Sequence, residues 1–375
     1  MRRFFVFLGM VLLWTVPAKA QWDNRVFLNE PAFPDTVAGN LFLGVDHLFY
    51  FRNNEYFNPF ADGYTLTGHH LFPSLIYLPG KDVSLHAGFF MNQEFGKSGN
   101  PGIYPVVGVR FKKWGLETLL GRINGNHFHR LPQPVYSFER SLTDPLEFGM
   151  QSIVSKENLF IDTWIHWEQM IERYDDEQEK IWGGFHGIWS PVNTGRTRLH
   201  VSMLVTAFHY GGQIDISGLP VYTLWNAAAG AGYTLMSRHS ERITSAGLET
   251  QLHLSHQASE GGINPFGKGW GLYMEAFVNT VVVDGALSYW KGDSYYAEFG
   301  DPLFSSVSRK VNREGYTEKK RDLFVLRLKK DIRIMDGFWL SIRFEPFWDS
   351  RYGVDFSHGV YLHYTGCFSL LRKKL

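Results

Sequence analysis

Connectors of alternating length are the feature of this sequence that most restricts its fold. About sixteen strand-like segments follow residue 40. Tight connectors such as 79–82 and 335–337 alternate with mostly long, polar ones such as 124–145 and 294–321. An antiparallel sheet with short turns at one end and long loops at the other is typical of outer-membrane barrels. We therefore predict an all-β fold, a single antiparallel up-and-down transmembrane β-barrel of about sixteen strands, with fourteen as the alternative.

The first twenty residues have the pattern of an export signal. Arg2 and Arg3 precede an apolar stretch, 4–14, that is too short to span a bilayer. Ala18 and Ala20 then form an A-x-A cleavage site. The predicted division of the chain is a cleaved signal peptide (1–20), a periplasmic N-terminal segment (21–39), an outer-membrane barrel (40–371) and a short periplasmic tail (372–375).

Composition excludes several classes of protein. Beyond the signal no run of apolar residues is long enough for a membrane-spanning helix. A net charge of zero argues against a nucleic-acid partner. The single cysteine, Cys367, excludes an internal disulfide and a cysteine-based zinc site. Aromatic residues make up 16% of the chain, which fits interfacial girdles of a barrel.

Several segments alternate with period two, as barrel strands do. Leu199, Val201 and Met203 form an apolar face, whereas Arg198 and His200 lie on the opposite face. Barrels of about sixteen strands enclose a lumen that strand side chains alone do not fill. The size therefore favours a pore, although segments such as 64–78 have mixed faces.

The inward faces carry ionisable side chains that could set ion and solute selectivity in a water-filled lumen. The alternative is that they pair with one another and hold the wall in shape. The candidates are His86, Glu94, Arg110, Lys112, Asp162, His166, Glu168, Arg198, His200, Glu249, His253, Arg327, Lys329, Arg343 and Glu345, with Glu147 and Glu275 beside them.

The long connector 124–145 is the best candidate for a constriction. A loop of this length without regular structure is usually functional or disordered. It either folds into the lumen or caps the barrel outside. The constriction candidates are His127, His129, Arg130, Glu139, Arg140 and Asp144.

Histidine pairs do not indicate a metal site. His127 and His129 have no acidic or cysteine ligand at a recognisable spacing. His69 and His70 are adjacent, so in a strand they point to opposite faces. We predict neither a metal nor a cofactor.

The longest connector, 294–321, has a basic end that includes Arg309 and Arg321. Such residues could hold lipopolysaccharide phosphates by charge-assisted hydrogen bonds. The alternative is a solvated surface loop.

The mature chain resembles bacterial porin-type outer-membrane barrels and is similar to uncharacterised barrels of the Bacteroidota. The segments 119–122 and 145–151 are similar in style to anion-selective and polysaccharide-related porins. The resemblance implies outer-membrane location, insertion by the barrel-assembly machinery, contact with lipopolysaccharide, and passage of ions or small hydrophilic solutes. The alternatives are a barrel that anchors or helps export a surface polysaccharide and, less favoured, a lipid-modifying enzyme. The oligomeric state stays open.

Outer-membrane lipid hydrolases use a serine and a histidine on the outward face. The adjacent pairs here are His239-Ser240 and Ser357-His358. Neighbours in a strand point apart, so a hydrogen bond between them is not expected. We therefore predict that the protein is not an enzyme.

Overall fold

A computed structural model of the protein describes residues 24, 27, 38–99, 101–237, 240, 242–259 and 264–371. The predicted signal peptide and the predicted tail lie outside the described residues. The strands, in chain order, are β1 (Asn40–Glu55), β2 (Thr65–Gly80), β3 (Val83–Glu94), β4 (Gly102–Lys113), β5 (Leu116–Arg122), β6 (Phe148–Lys156), β7 (Leu159–Gln169), β8 (Lys180–Asn193), β9 (Thr197–Tyr210), β10 (Tyr222–Met236), β11 (Ile243–Gln257), β12 (Lys268–Thr280), β13 (Asp284–Asp293), β14 (Lys320–Met335), β15 (Phe338–Asp349) and β16 (Gly353–Leu371).

The strands form one closed barrel in which each pairs with its neighbours in sequence. The sheet closes between β1 and β16, with Phe49 opposite Leu362 and Glu55 opposite Phe356. Closure leaves no unpaired sheet edge, which is the condition for a β-structure to cross hydrocarbon. The predicted fold class, with sixteen strands rather than fourteen, is confirmed.

The connectors at one end of the barrel are shorter than most of those at the other end, as the sequence predicts. The connectors at one end, such as 81–82 and 281–283, are short. Those at the other end include the two longest, 123–147 and 294–319, although 350–352 is short. The end with long loops is the extracellular one in barrels of this kind.

Side chains alternate between the lumen and the outer wall. Leu199 and Met203 of β9 point outward and are 37% and 54% exposed, whereas His200 is 2% exposed inside the barrel. His69 points outward, and its neighbour His70 points inward and bonds the backbone oxygen of Leu142 at 3.0 Å. The predicted facing of these strands therefore agrees with the structure.

The helical segments of the long loops are single turns. The four-residue helix α1 covers Arg140–Thr143, and 3₁₀ turns cover Asn126–His129, Pro302–Phe304 and Val311–Arg313. Within the described ranges, no helix combines the length and hydrophobicity needed to span a membrane.

The core of the molecule lies inside the lumen, because both of the longest loops fold inward. One buried cluster joins Trp290 and Leu323 of the wall to Tyr295 and Phe304 of 294–319. Another, which includes Trp164 and Trp182, joins the wall to Tyr136 of 123–147. The loops thus supply the apolar volume that the strands cannot.

The segment before β1 also reaches the lumen where the structure describes it. The Phe27 ring lies 5.3 Å from the rings of Phe138 and Tyr361. The side-chain amide of Asn24 lies 3.4 Å from Nδ1 of His127. We predicted this segment to be periplasmic, and these two residues lie inside the barrel.

The facing of β9 can be tested by cysteine labelling in a Cys367→Ser background. We expect Met203→Cys to react with a lipid-soluble maleimide in bilayers, because Met203 lies on the outer wall. Leu204→Cys is the matched control and should stay unlabelled, since Leu204 is buried. The reverse pattern would mean that the register is wrong.

Candidate functional site

The inserted loop 123–147 is anchored by a buried histidine. Nδ1 of His129 lies 2.7 Å from Asp162 on the wall, and its Nε2 lies 3.1 Å from Glu147. The imidazole stacks on Trp164 with ring centroids 3.9 Å apart. The His129 imidazole thus connects the loop 123–147 to β7 through Asp162. Through Glu147 it also contacts the C-terminal end of the same loop.

Both loop members of this contact have shifted pKa values. Burial alone would lower the pKa of His129, but the charges of Glu147 and Asp162 and their hydrogen bonds raise it to about 9. Burial would raise the pKa of Glu147, but the charge and hydrogen bond of His129 lower it to about 2. At neutral pH the loop is therefore held by charged groups.

The two inserted loops interlock across the lumen. The amide of Ser137 donates to the carbonyl of Phe299 at 2.6 Å, and the amide of Asp301 donates to the carbonyl of Gln133 at 2.9 Å. The Arg140 guanidinium lies 3.6 Å from the Phe299 ring centroid. We call 123–147 and 294–319 together the plug.

The other constriction candidates also make contacts inside the barrel. Arg130 lies over the Phe160 ring at 3.7 Å. The carboxylate of Glu139 accepts from the Asn54 amide at 2.8 Å. His127 stacks against a phenylalanine ring, and Arg140 is ion-paired with Asp144. Of the two arrangements considered for this loop, the structure shows insertion into the lumen.

Several lumen candidates pair with one another. Arg327 lies 2.9 Å from Glu275 and 3.8 Å from Glu345, which is also 2.9 Å from Arg52. Arg343 lies 4.5 Å from the Phe138 ring of the plug. These side chains thus form a buried network of ion pairs and ring contacts.

Except for His253, whose ring nitrogens have no hydrogen-bond partner among the described residues, the remaining lumen candidates have local partners or lie near the ends of strands. The contacts are Arg110–Glu117 at 2.6 Å, His86–Ser84 at 2.9 Å, Arg198–Ser190 at 2.9 Å, His166–Glu168 at 3.0 Å, Lys329–Asp331 at 3.1 Å, Glu94–Lys97 at 3.2 Å and His200–Glu249 at 3.9 Å. His253 is fully buried beside Trp290, and Lys112 is exposed near the short-connector end. In the described part of the chain, no group of three or more ligating side chains is placed to hold a metal.

The basic end of 294–321 is only partly available to lipid phosphates. Arg321 is buried, bonds Asp349 at 2.8 Å and lies 3.3 Å from the Phe60 ring centroid. Arg309 donates to the carbonyl of Gly300 at 3.2 Å. Arg309 and Arg321 thus both donate to plug carbonyls, Arg321 to that of Ser305 at 2.7 Å, which fits neither lipid phosphates nor a solvated surface loop for these two residues.

A chain of polar side chains lies on the outer wall of β1–β3. Nε2 of His47 lies 3.2 Å from Nδ1 of His69, and Nε2 of His69 lies 3.4 Å from Oε1 of Gln93. The Phe49 ring stacks against His69 at 5.4 Å and contacts His47 at 4.2 Å. All of these side chains point away from the lumen.

A second polar group follows towards the long-loop end of the same wall. The Thr65 hydroxyl donates to Asn53 at 2.8 Å, and the Asn53 amide donates to Glu55 at 2.6 Å. His358 of β16 is the register partner of Asn53. We call the two groups together the outer-wall patch, which consists of His47, Asn53, Glu55, Thr65, His69, Gln93 and His358.

The hydrogen bonds restrict how the two patch histidines can be protonated. Oε1 of Gln93 accepts only, so Nε2 of His69 carries a proton and its Nδ1 accepts from Nε2 of His47. This assignment follows from the hydrogen-bond network. It leaves the Nδ1 lone pair of His47 as a proton acceptor, which is what a general base needs.

Comparison with known proteins assigns the family. Residues 33–373 match the family described as lipid A 3'-O-deacylase-type. The chain belongs to this family. No curated protein gives a significant match.

Solved structures place this deacylase-family chain among outer-membrane barrels. It is similar to OprD of Pseudomonas aeruginosa, with 11% identity, a TM-score of 0.52 and coverage of 89% of this chain and 95% of that one. It is also similar to a loop-deletion mutant of OmpT of Vibrio cholerae, with 10% identity, a TM-score of 0.52 and coverage of 88% and 99%. These likenesses concern the fold, and the predicted outer-membrane location is confirmed.

The expectation that the protein is not an enzyme is contradicted, because the matched family is one of enzymes. That expectation rested on adjacent serine–histidine pairs. Ser357 indeed points inward and accepts from Arg52 at 3.0 Å, whereas His358 points outward. His239 lies outside the described residues. Adjacent residues were the wrong places to look, because a group on a barrel wall forms across strands.

Sequence reasoning missed His47, His69 and Gln93, although a signal existed. On the outward face of β1, His47 interrupts an otherwise apolar run that continues to Phe51. The mixed faces of 64–78 come in part from Thr65 and His69, which lie on the outward side of β2.

The pH dependence of the plug can be tested by hydrogen exchange. A raised His129 pKa stabilises the folded plug fully below about pH 6.5, and this stabilisation is lost as the pH rises through about 9. A lowered Glu147 pKa stabilises it above about pH 4.5, with loss as the pH falls towards about 2. We expect protection factors of amides in 123–147 to fall about tenfold or more between about pH 7 and pH 10.

The control for this experiment is His129→Gln, which cannot titrate. Its protection factors should be lower at neutral pH and flat through the alkaline range. Equal alkaline loss in both proteins would show that His129 does not anchor the plug.

Proposed function

We propose that this barrel hydrolyses an ester-linked acyl chain of lipid A or a closely related glycolipid at the outer-wall patch. The observation that carries the proposal is the chain of hydrogen-bonded side chains from His47 through His69 to Gln93 on the outward face. Family membership supplies the reaction class, because removal of an acyl group from an oxygen is ester hydrolysis.

The position of the patch supports a membrane-resident substrate. Ionisable side chains that face lipid are costly, and such residues mark function more often than structure. On β1 the outward side chains change from Phe49 and Phe51 to Asn53 and Glu55 towards the long-loop end. The Asn53, Glu55 and Thr65 part of the patch thus lies where an apolar wall meets a polar rim on the extracellular side, and His47 lies further along the apolar wall. A glycolipid of the outer leaflet presents its acyl esters near this boundary.

The proposed reaction uses water as the nucleophile. His47 takes a proton from the water through Nδ1 as the water oxygen bonds to the ester carbonyl carbon. The bond between that carbon and the sugar oxygen then breaks, and the imidazolium returns its proton to the leaving oxygen. His69 and Gln93 keep the His47 ring in one tautomer and orientation. The products are a fatty acid and a sugar hydroxyl.

The rim group provides contacts for a sugar headgroup. Asn53, Glu55 and Thr65 combine donors and acceptors within one hydrogen-bonded set. His358 adds a further polar ring beside Asn53. We propose that this set holds the sugar while the acyl chain lies along the apolar wall below.

Substitution of His47 tests the proposed base. We expect His47→Gln to lower deacylation about 100-fold or more, the lower range of what a general base contributes. The measurement is mass spectrometry of lipid A from outer membranes that contain the protein, with and without the substitution. His69→Gln should also lower the rate, with a smaller loss because its role is to position His47.

The matched control is His256→Gln. His256 is an exposed outward histidine towards the long-loop end of β11, on another part of the wall. It should keep wild-type activity. Loss in all three variants would point to general misfolding, whereas full activity of His47→Gln would refute the proposed site.

Passage of small solutes is a second candidate function, favoured by the ionisable inward faces around Arg327 and Glu249. The lumen keeps cavities of about 100 and 180 Å³ beside the plug. We propose that any such passage is gated by the plug, because its two loops interlock between the walls.

Planar-bilayer conductance distinguishes the two functions. We expect the refolded protein to be silent or nearly so, and replacement of 131–141 by a short Gly-Ser linker to give steady open steps. Heat-modifiable gel mobility checks that both proteins fold. Large, equal steps from both proteins would show that the plug does not block the lumen.

A further inference from the structure

A buried carboxylate on the inward face of β11 has no guanidinium partner among the described residues. Glu249 and Glu275 are register partners on β11 and β12. Glu275 lies 2.9 Å from Arg327. Glu249 is 5% exposed, and its ion-pair neighbour in the described part of the chain is His200, at 3.9 Å. The Glu249 carboxylate is therefore left without a permanently charged partner.

Two buried acceptor atoms lie beside this carboxylate. A carboxylate only accepts hydrogen bonds, so the Gln251 amide turns its Nε2 towards Glu249, at 2.6 Å. This orientation leaves Oε1 of Gln251 without a donor in the described ranges, and Nδ1 of His200 has no partner there either. The His200 ring lies over Gly232 of β10, where a Cβ atom would be 2.1 Å from its Cε1. We call Glu249, Gln251 and His200 the acceptor group.

A guanidinium without an acceptor lies on the plug. Arg130 stacks on the Phe160 ring, and among the described residues its side chain makes no hydrogen bond or ion pair. Burial and the charge of Arg198 lower the pKa of Arg130 to about 10, so it is charged at neutral pH. Asp162 offsets part of this shift but is bonded to His129. A further anion would therefore stabilise the Arg130 guanidinium.

One cavity of the lumen is lined by both the acceptor group and Arg130. Its volume is about 100 Å³, which is room for about seven or eight non-hydrogen atoms. Arg198 and His200 also line it, and they are inward residues two positions apart on β9, so their Cα atoms are about 7 Å apart. A ligand that reaches both ends needs its own charges separated by a similar length.

We propose that this cavity binds a small zwitterion whose primary ammonium and carboxylate are joined by an unbranched chain of about four methylene groups. The ammonium donates its three N–H groups to the acceptor group. The carboxylate accepts charge-assisted hydrogen bonds from Arg130. The ligand enters from the periplasmic end, because Arg198 follows the short connector 194–196. Glycine carries its charges too close together to reach both ends.

Binding in this cavity is independent of the other proposals. The cavity lies inside the barrel, whereas the patch lies on the outer wall, and the zwitterion has no ester bond to hydrolyse. Binding by the refolded protein also requires no passage through the lumen. Failure of this proposal therefore leaves the proposed hydrolysis standing.

Calorimetric titration of the refolded full chain in amphipol tests the proposal, with δ-aminovalerate as the probe. We expect saturable one-to-one binding at least tenfold tighter than that of valerate, which lacks the ammonium, and of pentylamine, which lacks the carboxylate. Glycine should bind no better than either. Absence of saturable binding, or equal affinity of the wild type for δ-aminovalerate and glycine, would overturn the proposal.

Two substitutions separate the ends of the cavity. Glu249→Gln should weaken δ-aminovalerate binding at least tenfold while leaving the weaker binding of valerate unchanged. Arg130→Met should weaken it by a similar factor while leaving the weaker binding of pentylamine unchanged. Wild-type affinity for δ-aminovalerate in either variant would show that the substituted residue does not hold the ligand.

The matched controls are Glu314→Gln and Arg313→Met, the same substitutions at exposed positions of the plug. Both variants should bind δ-aminovalerate as the wild type does, and heat-modifiable gel mobility checks that every variant folds. Equal losses in the controls would mean that the effect of Glu249→Gln and Arg130→Met does not arise in the cavity.

Discussion

Closure of the backbone hydrogen bonds is the constraint on which the rest of this structure depends. A sheet that crosses hydrocarbon must leave no unpaired edge, so β16 must return to β1. Sixteen strands joined in this way enclose more space than their own side chains can fill. The fold therefore either holds water or recruits other parts of the chain. In this chain two loops fold into the lumen, and the lumen therefore contains the hydrophobic core.

Because the loops fill the lumen, the inner and outer faces of the barrel wall have different roles. Inside, ionisable residues such as Arg327 and Glu345 lie in a network whose members satisfy one another. Outside, His47 and His69 interrupt the apolar surface of β1 and β2. Pairing accounts for charged lumen residues such as Arg327 and Glu345. A polar residue towards lipid has no such structural reason.

The sequence was sufficient for the architecture because period two and connector length are local properties. The facing of β9 and the insertion candidate 124–145 could be read from neighbouring residues. The patch could not, since His47, His69 and Gln93 come from three strands and meet only through the register. The pairing of His129 with Asp162 likewise joins residues that are 33 positions apart. Contacts of this kind depend on the closed barrel, which no single segment encodes.

The interlocked plug also has a mechanical consequence. Its two loops leave the wall after β5 and after β13, far apart around the circumference, and meet at Ser137 and Phe299. Together they connect strands on opposite sides of the barrel wall. A barrel with an empty lumen flattens easily under the lateral pressure of the bilayer, whereas a barrel whose opposite walls are connected keeps its circular cross-section. The plug thus preserves the curvature of the outer wall. It thereby also preserves the spacing between neighbouring strands where a lipid would be held.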